Sequence, residues 1–278
     1  MTPILIIAAV DLELAPALAQ FQAKKPLAIA GRTGMTLQLK DQPLIALTAG
    51  PGAVNTAQSL TAAIERFSPG LIIQVGCAGG FAKSGIAVGD VAVATEEIDV
   101  HMGLELESDE KSVRLAPLPF PVMETGGRTY RHRFLLDRDL ADEAAAAIRN
   151  ENLTGFTLHK GSFVSGSTIT ATTARAKGLF DLYCPVMESM EGAAAAHTAL
   201  HYGIPFLEIR GASNLVGRRD KEAWNLPLAF ENSCACLMAF LKRNYSVPVK
   251  SKEAPVEWGK KRGPAAPLCD ALPTVWGM

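Results

Sequence analysis

Apolar runs of strand length alternate along the chain with segments of helical period. Residues 4–9 form a continuous apolar run, the pattern of a strand buried on both faces. Residues 36–39 and 44–48 read as a hairpin or as adjacent strands around Asp41-Gln42. Residues 53–67 have the period of an amphipathic helix. Residues 71–75 predict a second buried strand, and 88–95, after a glycine turn, a third. Acidic residues in the first turns and four consecutive alanines predict a helix over 137–150. Residues 156–165 alternate like a strand, and 173–180 suggest a helix. Residues 191–202 and 226–241 predict helices before and after a strand at 206–209. Alternation of this kind implies an α/β fold, a mixed sheet held between two helical layers. The sequence contains no internal repeat.

From residue 247 the periodicity is lost. Residues 247–278 carry five prolines and scattered basic residues, a composition that predicts a loosely ordered tail over 246–278 behind one catalytic domain over 1–245. Trp258 and Trp276 are the only large aromatic anchors that the tail offers to the body. With 278 residues, the chain is long enough for one sizeable core. A net charge of −1 gives no reason to expect a nucleic acid as partner. No apolar run reaches the length of a membrane span, and Met1-Thr2-Pro3 leads into a strand without a signal-peptide pattern, so the expected location is the cytoplasm. The five cysteines are odd in number and lack paired zinc spacing; Cys234 and Cys236 fall in an apolar helix and read as buried free thiols.

In α/β proteins, ligands bind where strands end and helices begin. Five places in this chain fit that rule. Asp11-Leu12-Glu13 follows the first strand, with Asp11 also placed to cap a helix. Gly50-Pro51-Gly52 and Gly76-Cys77-Ala78-Gly79-Gly80 read as turns that bring backbone amides close to a ligand. Glu191 stands at the start of an alanine-rich helix, and Ser213-Asn214 just past the following strand. A carboxylate at Glu191 can accept two vicinal sugar hydroxyls while the Met190 thioether packs on the ring. Taken alone, an acid in a first helical turn is also simply favourable there. His197 and His201 have a metal-ligand spacing without an evident acidic third ligand, and read as structural.

The strings Glu188-Ser189-Met190-Glu191-Gly192-Ala193-Ala194 and Arg210-Gly211-Ala212-Ser213-Asn214-Leu215-Val216-Gly217-Arg218-Arg219-Asp220 resemble the nucleoside phosphorylase/hydrolase superfamily. The likeness is scattered over residues 4–243 and is strongest at these motifs. Among its members, the two strings look most like those of the branch that releases hypoxanthine. The resemblance implies a three-layer α/β/α fold, a small-molecule nucleoside as substrate, assembly as a homodimer or larger homo-oligomer, and no cofactor or metal. It implies that Glu13 activates a water, that Met190 and Glu191 grip the ribose, and that Gly52 and Cys77 lie near the water. Phe163, Ile169 and Thr170 match the region that flanks the base beside Ser213, although Phe163 reads as readily as a core residue. Where adenine-releasing relatives place an Asp to protonate N7, this chain has Asn214, whose amide suits a 6-oxopurine. Asp220 is then a candidate proton source through water, unless it pairs with the neighbouring arginines.

Phosphorylases also need cations to hold phosphate. The loop after the first strand carries Asp11 and Glu13 and no arginine, which favours water as the nucleophile. A purine nucleoside phosphorylase and an adenine-releasing nucleosidase are the alternatives among enzymes. Glu13 and Glu191 together argue against a catalytically silent nucleoside-binding protein. His101, Met102, Pro119 and Phe120 are candidates for the pocket around the ribose 5′ substituent.

Overall fold

In β1 (Ile4–Ala8), Ile4, Ile6 and Ala8 enter one apolar cluster while Leu5 and Ile7 enter another. β5 (Leu71–Gly80) does the same, with Leu71, Ile73 and Val75 on one side and Ile72 and Ala78 on the other. These strands are buried on both faces, which is why they read as unbroken apolar runs. The computed structural model describes residues 2–105 and 115–243. The predicted tail over 246–278, with Trp258 and Trp276, lies outside the described residues.

The two clusters are the two cores of a layered molecule. α1 (Asp11–Leu18), α3 (Arg138–Asn150) and α6 (Leu226–Lys242) close one core. α2 (Ala53–Phe67) and α5 (Gly192–His201) close the other. α4 (Thr173–Tyr183) covers a third, smaller cluster through Leu179. Among the described residues, no helix is long and apolar enough to cross a membrane.

Between the layers runs a mixed sheet of ten strands. One wing holds β2 (Lys24–Ile29), β3 (Arg32–Leu39) and β4 (Gln42–Thr48), which pair antiparallel; β4 then pairs parallel with β1, and β1 with β5. The other wing holds β6 (Val91–Asp99), β11 (Arg133–Leu135), β12 (Leu158–Ser165), β13 (Met187–Ser189) and β14 (Phe206–Leu215). β14 pairs with both β5 and β6, so β6, β12, β13, β5 and β14 close into a hydrogen-bonded ring. Two short ribbons stand apart: β7 (Leu104–Glu105) with β8 (Leu115–Ala116), and β9 (Met123–Thr125) with β10 (Arg128–Tyr130).

The predicted helix over 53–67 is observed with those limits, and the others agree within a few residues. The strand expected over 88–95 is observed over Val91–Asp99, the short strands β7 to β11 are not among those expected, and the strands depart from expectation in three further places. β2 carries Lys24, Lys25 and Pro26 on an exposed edge, the composition that keeps an edge from pairing further, so it lacks an apolar signal. Residues 76–80, expected as a turn, continue β5 and pair with Arg210–Leu215 of β14. Their glycines answer to crowding rather than to turning. A Cβ on Gly76 would lie 2.3 Å from Glu13 Oε1, and one on Gly80 2.4 Å from Ile86 Cγ2. Ser213 and Asn214, expected past the strand, lie within β14 at a register shift between Ala212 and Asn214. Such a bulge re-aims the side chains that follow it, and bulges are frequent beside functional sites.

Candidate active site

Glu13 sits in the first turn of α1, where the chain leaves β1, and folds back on itself. Its Oε2 accepts from Ala9 N at 2.8 Å and Val10 N at 3.1 Å, and its Oε1 from Cys77 N at 2.9 Å. Cys234, on α6, donates its thiol to the Glu13 carbonyl at 3.0 Å. The carboxylate is thus fixed by three backbone donors yet keeps a free lone pair for a water. Asp11 does not cap the helix; the cap position belongs to Val10, and Asp11 accepts from the Thr48 hydroxyl.

Arg210 is the centre of the site. It is 1% exposed, and a side chain of that kind is almost never so buried unless paired. Its Nε donates to Glu208 Oε1 at 2.8 Å, Nη2 to Glu191 Oε2 at 3.2 Å, and Nη1 to Cys77 O at 3.1 Å, with Glu13 Oε1 at 3.9 Å. Burial alone would disfavour the charged guanidinium, but Glu208, Glu191 and Glu13 more than reverse that and hold its pKa above the ordinary arginine value. Sequence patterning gives Arg210 and Glu208 no role. The available signal was two opposite charges two apart in an apolar strand, hence on one face.

Glu191 is the N-cap residue of α5 but makes no side-chain cap. Its Oε1 instead accepts from Gly52 N at 2.9 Å, and its Oε2 faces Arg210. The acid therefore belongs to the site rather than to its own helix start. Met190 beside it is half-buried. Gly52, with φ of 90°, turns the chain from β4 into α2 and aims its amide at Glu191.

The other candidates fall into two groups. Cys77 and Ser213 join the cluster. Burial first, then the Glu13 charge, pushes the Cys77 thiol up to about 12, so it stays neutral and is no nucleophile. The Ser213 hydroxyl reaches Asn214 Oδ1 at 2.8 Å and Ala78 O at 3.3 Å, while Asn214 Nδ2 donates to Leu215 O at 3.2 Å. Ile169 is 45% exposed, whereas Thr170 is buried and bonds through both its amide and its hydroxyl to Glu188. Phe163 is completely buried in the apolar core and offers a ligand no surface. Asp220 is exposed, and its carboxylate accepts from Glu222 N at the start of a short 3-10 turn. His197 stacks on Phe134 with ring centres 4.9 Å apart. His101, a 5′-pocket candidate, accepts from Ser167 N at Nδ1, while Phe120 is exposed.

One cation approaches the glycine loop from outside the expected segment. Arg32 of β3 bonds to Asn55 and lies 2.9 Å from where a Gly50 Cβ would be. A cavity of about 410 Å³, lined by residues such as Ile148, Leu153 and Phe156, lies between α3 and β12 and shares no residue with the Arg210 cluster.

Residues 3–242 match the Phosphorylase superfamily. The chain is 32% identical to futalosine hydrolase of Thermus thermophilus over 186 residues, 67% of this chain and 76% of that protein. It is 26% identical to the 5′-methylthioadenosine/S-adenosylhomocysteine nucleosidase of a Marinomonas species over 247 residues, 88% of this chain and 100% of that protein. A mutant nucleosidase of Helicobacter pylori, crystallised with 5′-methylthioadenosine in its active site, superposes with a TM-score of 0.75 at 20% identity, covering 87% of this chain and 99% of that one.

Removing the central cation strands three buried carboxylates. Arg210→Met should therefore destabilise the fold by about 3–5 kcal/mol, as when one partner of a buried ion pair is deleted. Denaturant titration measures this. An unchanged midpoint would mean that Arg210 does not hold the cluster together.

Proposed function

The chain belongs to the phosphorylase superfamily, and we propose that it is a hydrolase that cleaves the N-glycosidic bond of futalosine to give dehypoxanthine futalosine and hypoxanthine. The observation that carries the choice of water over phosphate is the charge balance at Arg210. Its guanidinium already faces Glu13, Glu191 and Glu208, so an incoming dianion at Arg210 would meet excess negative charge, and Arg32, the cation beside the glycine loop, is turned to Asn55. The same excess suits a reaction that builds positive charge on the ribose.

Each residue then has a task. Glu13, immobilised by three amides, accepts a proton from the attacking water. Glu191 keeps a spare lone pair on each oxygen for the ribose hydroxyls, and Met190 packs beside it. The developing cation on the sugar lies near these carboxylates, whose positions are fixed before the reaction starts, so little reorganisation is needed. Ser213 holds Asn214 Oδ1, which leaves the amide Nδ2 to donate to a 6-oxo group and the second lone pair of Oδ1 to accept from a protonated N7.

The likeness to adenine-releasing nucleosidases supports a second reading, in which the base is adenine. Asn214 speaks against it, because with one Nδ2 proton held by Leu215 O the other would face the protons of a 6-amino group. The exposed apolar residues Val10, Leu12 and Val54, within three residues of Glu13 or Gly52, support assembly with a second copy of the chain. On this reading, the protein serves the alternative, futalosine-dependent route to menaquinone.

Purine release from futalosine, inosine and methylthioadenosine, each with and without phosphate, tests the proposal. Futalosine should be the preferred substrate and phosphate without effect; formation of a ribose 1-phosphate product would sink the hydrolase reading. Glu13→Gln should lower kcat by about 10²-fold or more, with KM within a few-fold, since it keeps the shape and removes the base. Normal turnover by that variant would assign the water to another residue. Asn214→Asp should erode the preference for futalosine over its 6-amino analogue, a preference that buried hydrogen-bond mismatch can raise to roughly 10⁴. Equal rate ratios in the two proteins would place base selection elsewhere.

A further inference from the structure

Two carboxyl oxygens deep in the strand ring have no hydrogen-bond partner among the described residues: Glu97 Oε1, on β6, and Glu208 Oε2, on β14. Both residues are 0% exposed. The two oxygens look at one spot. A Cβ on Gly192 would lie 2.3 Å from Glu97 Oε1 and 2.6 Å from Glu208 Oε2, so the oxygens are no further apart than the sum of those distances. As carboxylates they would repel each other in a site without water, and each would keep an orphaned acceptor. A single proton between them removes both deficits.

The remaining bonds say which residue carries it. Glu208 Oε1 already accepts from the cation Arg210 at 2.8 Å, whereas Glu97 Oε2 accepts only from the Ser165 hydroxyl, at 2.7 Å. The proton therefore rests on Glu97. Every donor in the chain then has one direction. Gly192 N donates to Ser189 Oγ, Ser189 donates to Ser165 Oγ, and Ser165 donates to Glu97. Glu97 donates to Glu208, which also receives from Arg210, and Arg210 reaches on to Glu191.

The groups that face Glu97 are few. β14 brings Glu208 and Arg210, β12 and β13 bring the hydroxyls of Ser165 and Ser189, and α5 brings the amides of Gly192 and Ala193. On β6 itself, the adjacent Glu96 is engaged with Arg133 and Ser162. Burial, then the Glu208 charge, raises the Glu97 pKa well above the carboxylate range, against smaller effects of Ser165 and Arg210.

We propose that Glu97 is a positioning residue of the active site, sharing one proton with Glu208 so that Arg210 meets three negative charges instead of four and keeps Glu191 and Glu13 in place. Loss of that proton at high pH would draw the guanidinium toward the Glu97–Glu208 end and away from Glu191. The kinetic arm of the test rests on the hydrolase reading; the spectroscopic arm does not.

Infrared spectra of the whole chain at neutral pH should show the C=O stretch of a protonated carboxyl, shifted in D₂O. Glu97→Gln should abolish it, because the proton rests on Glu97, and Glu208→Gln should shift it, because burial still keeps Glu97 protonated while its acceptor is lost. Glu188→Gln is the control, since burial raises the Glu188 pKa as well. The absence of a protonated-carboxyl band in the wild type, its survival in Glu97→Gln, or an unshifted band in Glu208→Gln would overturn the proposal. Should Glu97→Gln fail to fold, Glu208→Gln and the wild-type spectrum decide the matter. In kinetics, kcat should fall on the alkaline side as the shared proton is lost, and Glu97→Gln, which has no such proton to lose, should remove that limb. Glu97→Ala should lower kcat more than tenfold with KM little changed, and Glu97→Gln should restore most of it. An alkaline limb identical in wild type and Glu97→Gln would overturn the positioning role. Failure of the wild type to hydrolyse futalosine would refute the functional reading and leave the infrared result to decide the pair.

Discussion

A guanidinium cut off from water must find its solvation inside the protein, and Arg210 obtains it from Glu13, Glu191 and Glu208. Much of the architecture around it follows from that need. The acids come from α1, from the start of α5 and from β14 itself, so these elements must converge on one point. The ring of five strands brings them there. Glycine stands at 76 and 192 because a Cβ at either place would run into the carboxylates. A buried cation balanced in this way contributes modestly to stability compared with apolar packing, yet it specifies the arrangement strictly, because each partner is costly to leave alone.

The same balance gives the site its chemical character. Three carboxylates around one guanidinium leave the Arg210 cluster with excess negative charge. Cys77, although placed beside Glu13 and Arg210, is kept out of the chemistry by its own burial. What distinguishes hydrolysis from phosphorolysis here is a charge count more than any one residue.

How much of this was legible in the sequence differs from element to element. The strands at 4–8 and 71–75 were readable because both their faces are apolar. The second halves of β5 and β14 were not, since glycine and polar residues interrupt the apolar run where the chain serves the site instead of the core. Glu13 and Glu191 stand at strand ends and helix starts, but likeness to the superfamily, more than position, singled them out. Arg210 and Glu97 stayed hidden because their partners lie far away in sequence and meet only when the ring closes. Phe163 shows the converse: a residue that matches a base-flanking position by likeness, yet lies wholly in the core.

The first turn of α5 carries a consequence of a different kind. Its leading amides are satisfied by Ser189 Oγ and Ser165 Oγ, the second of these 28 residues upstream on another strand, while its own N-cap residue looks away. A helix usually nucleates with help from its immediate neighbours. This one borrows its start from β12 and β13, so its first turn is secure only after those strands have paired. Order at the start of α5 therefore depends in part on a long-range contact, the kind that slows assembly. An excised peptide of the same sequence would lack the hydroxyls that begin its helix.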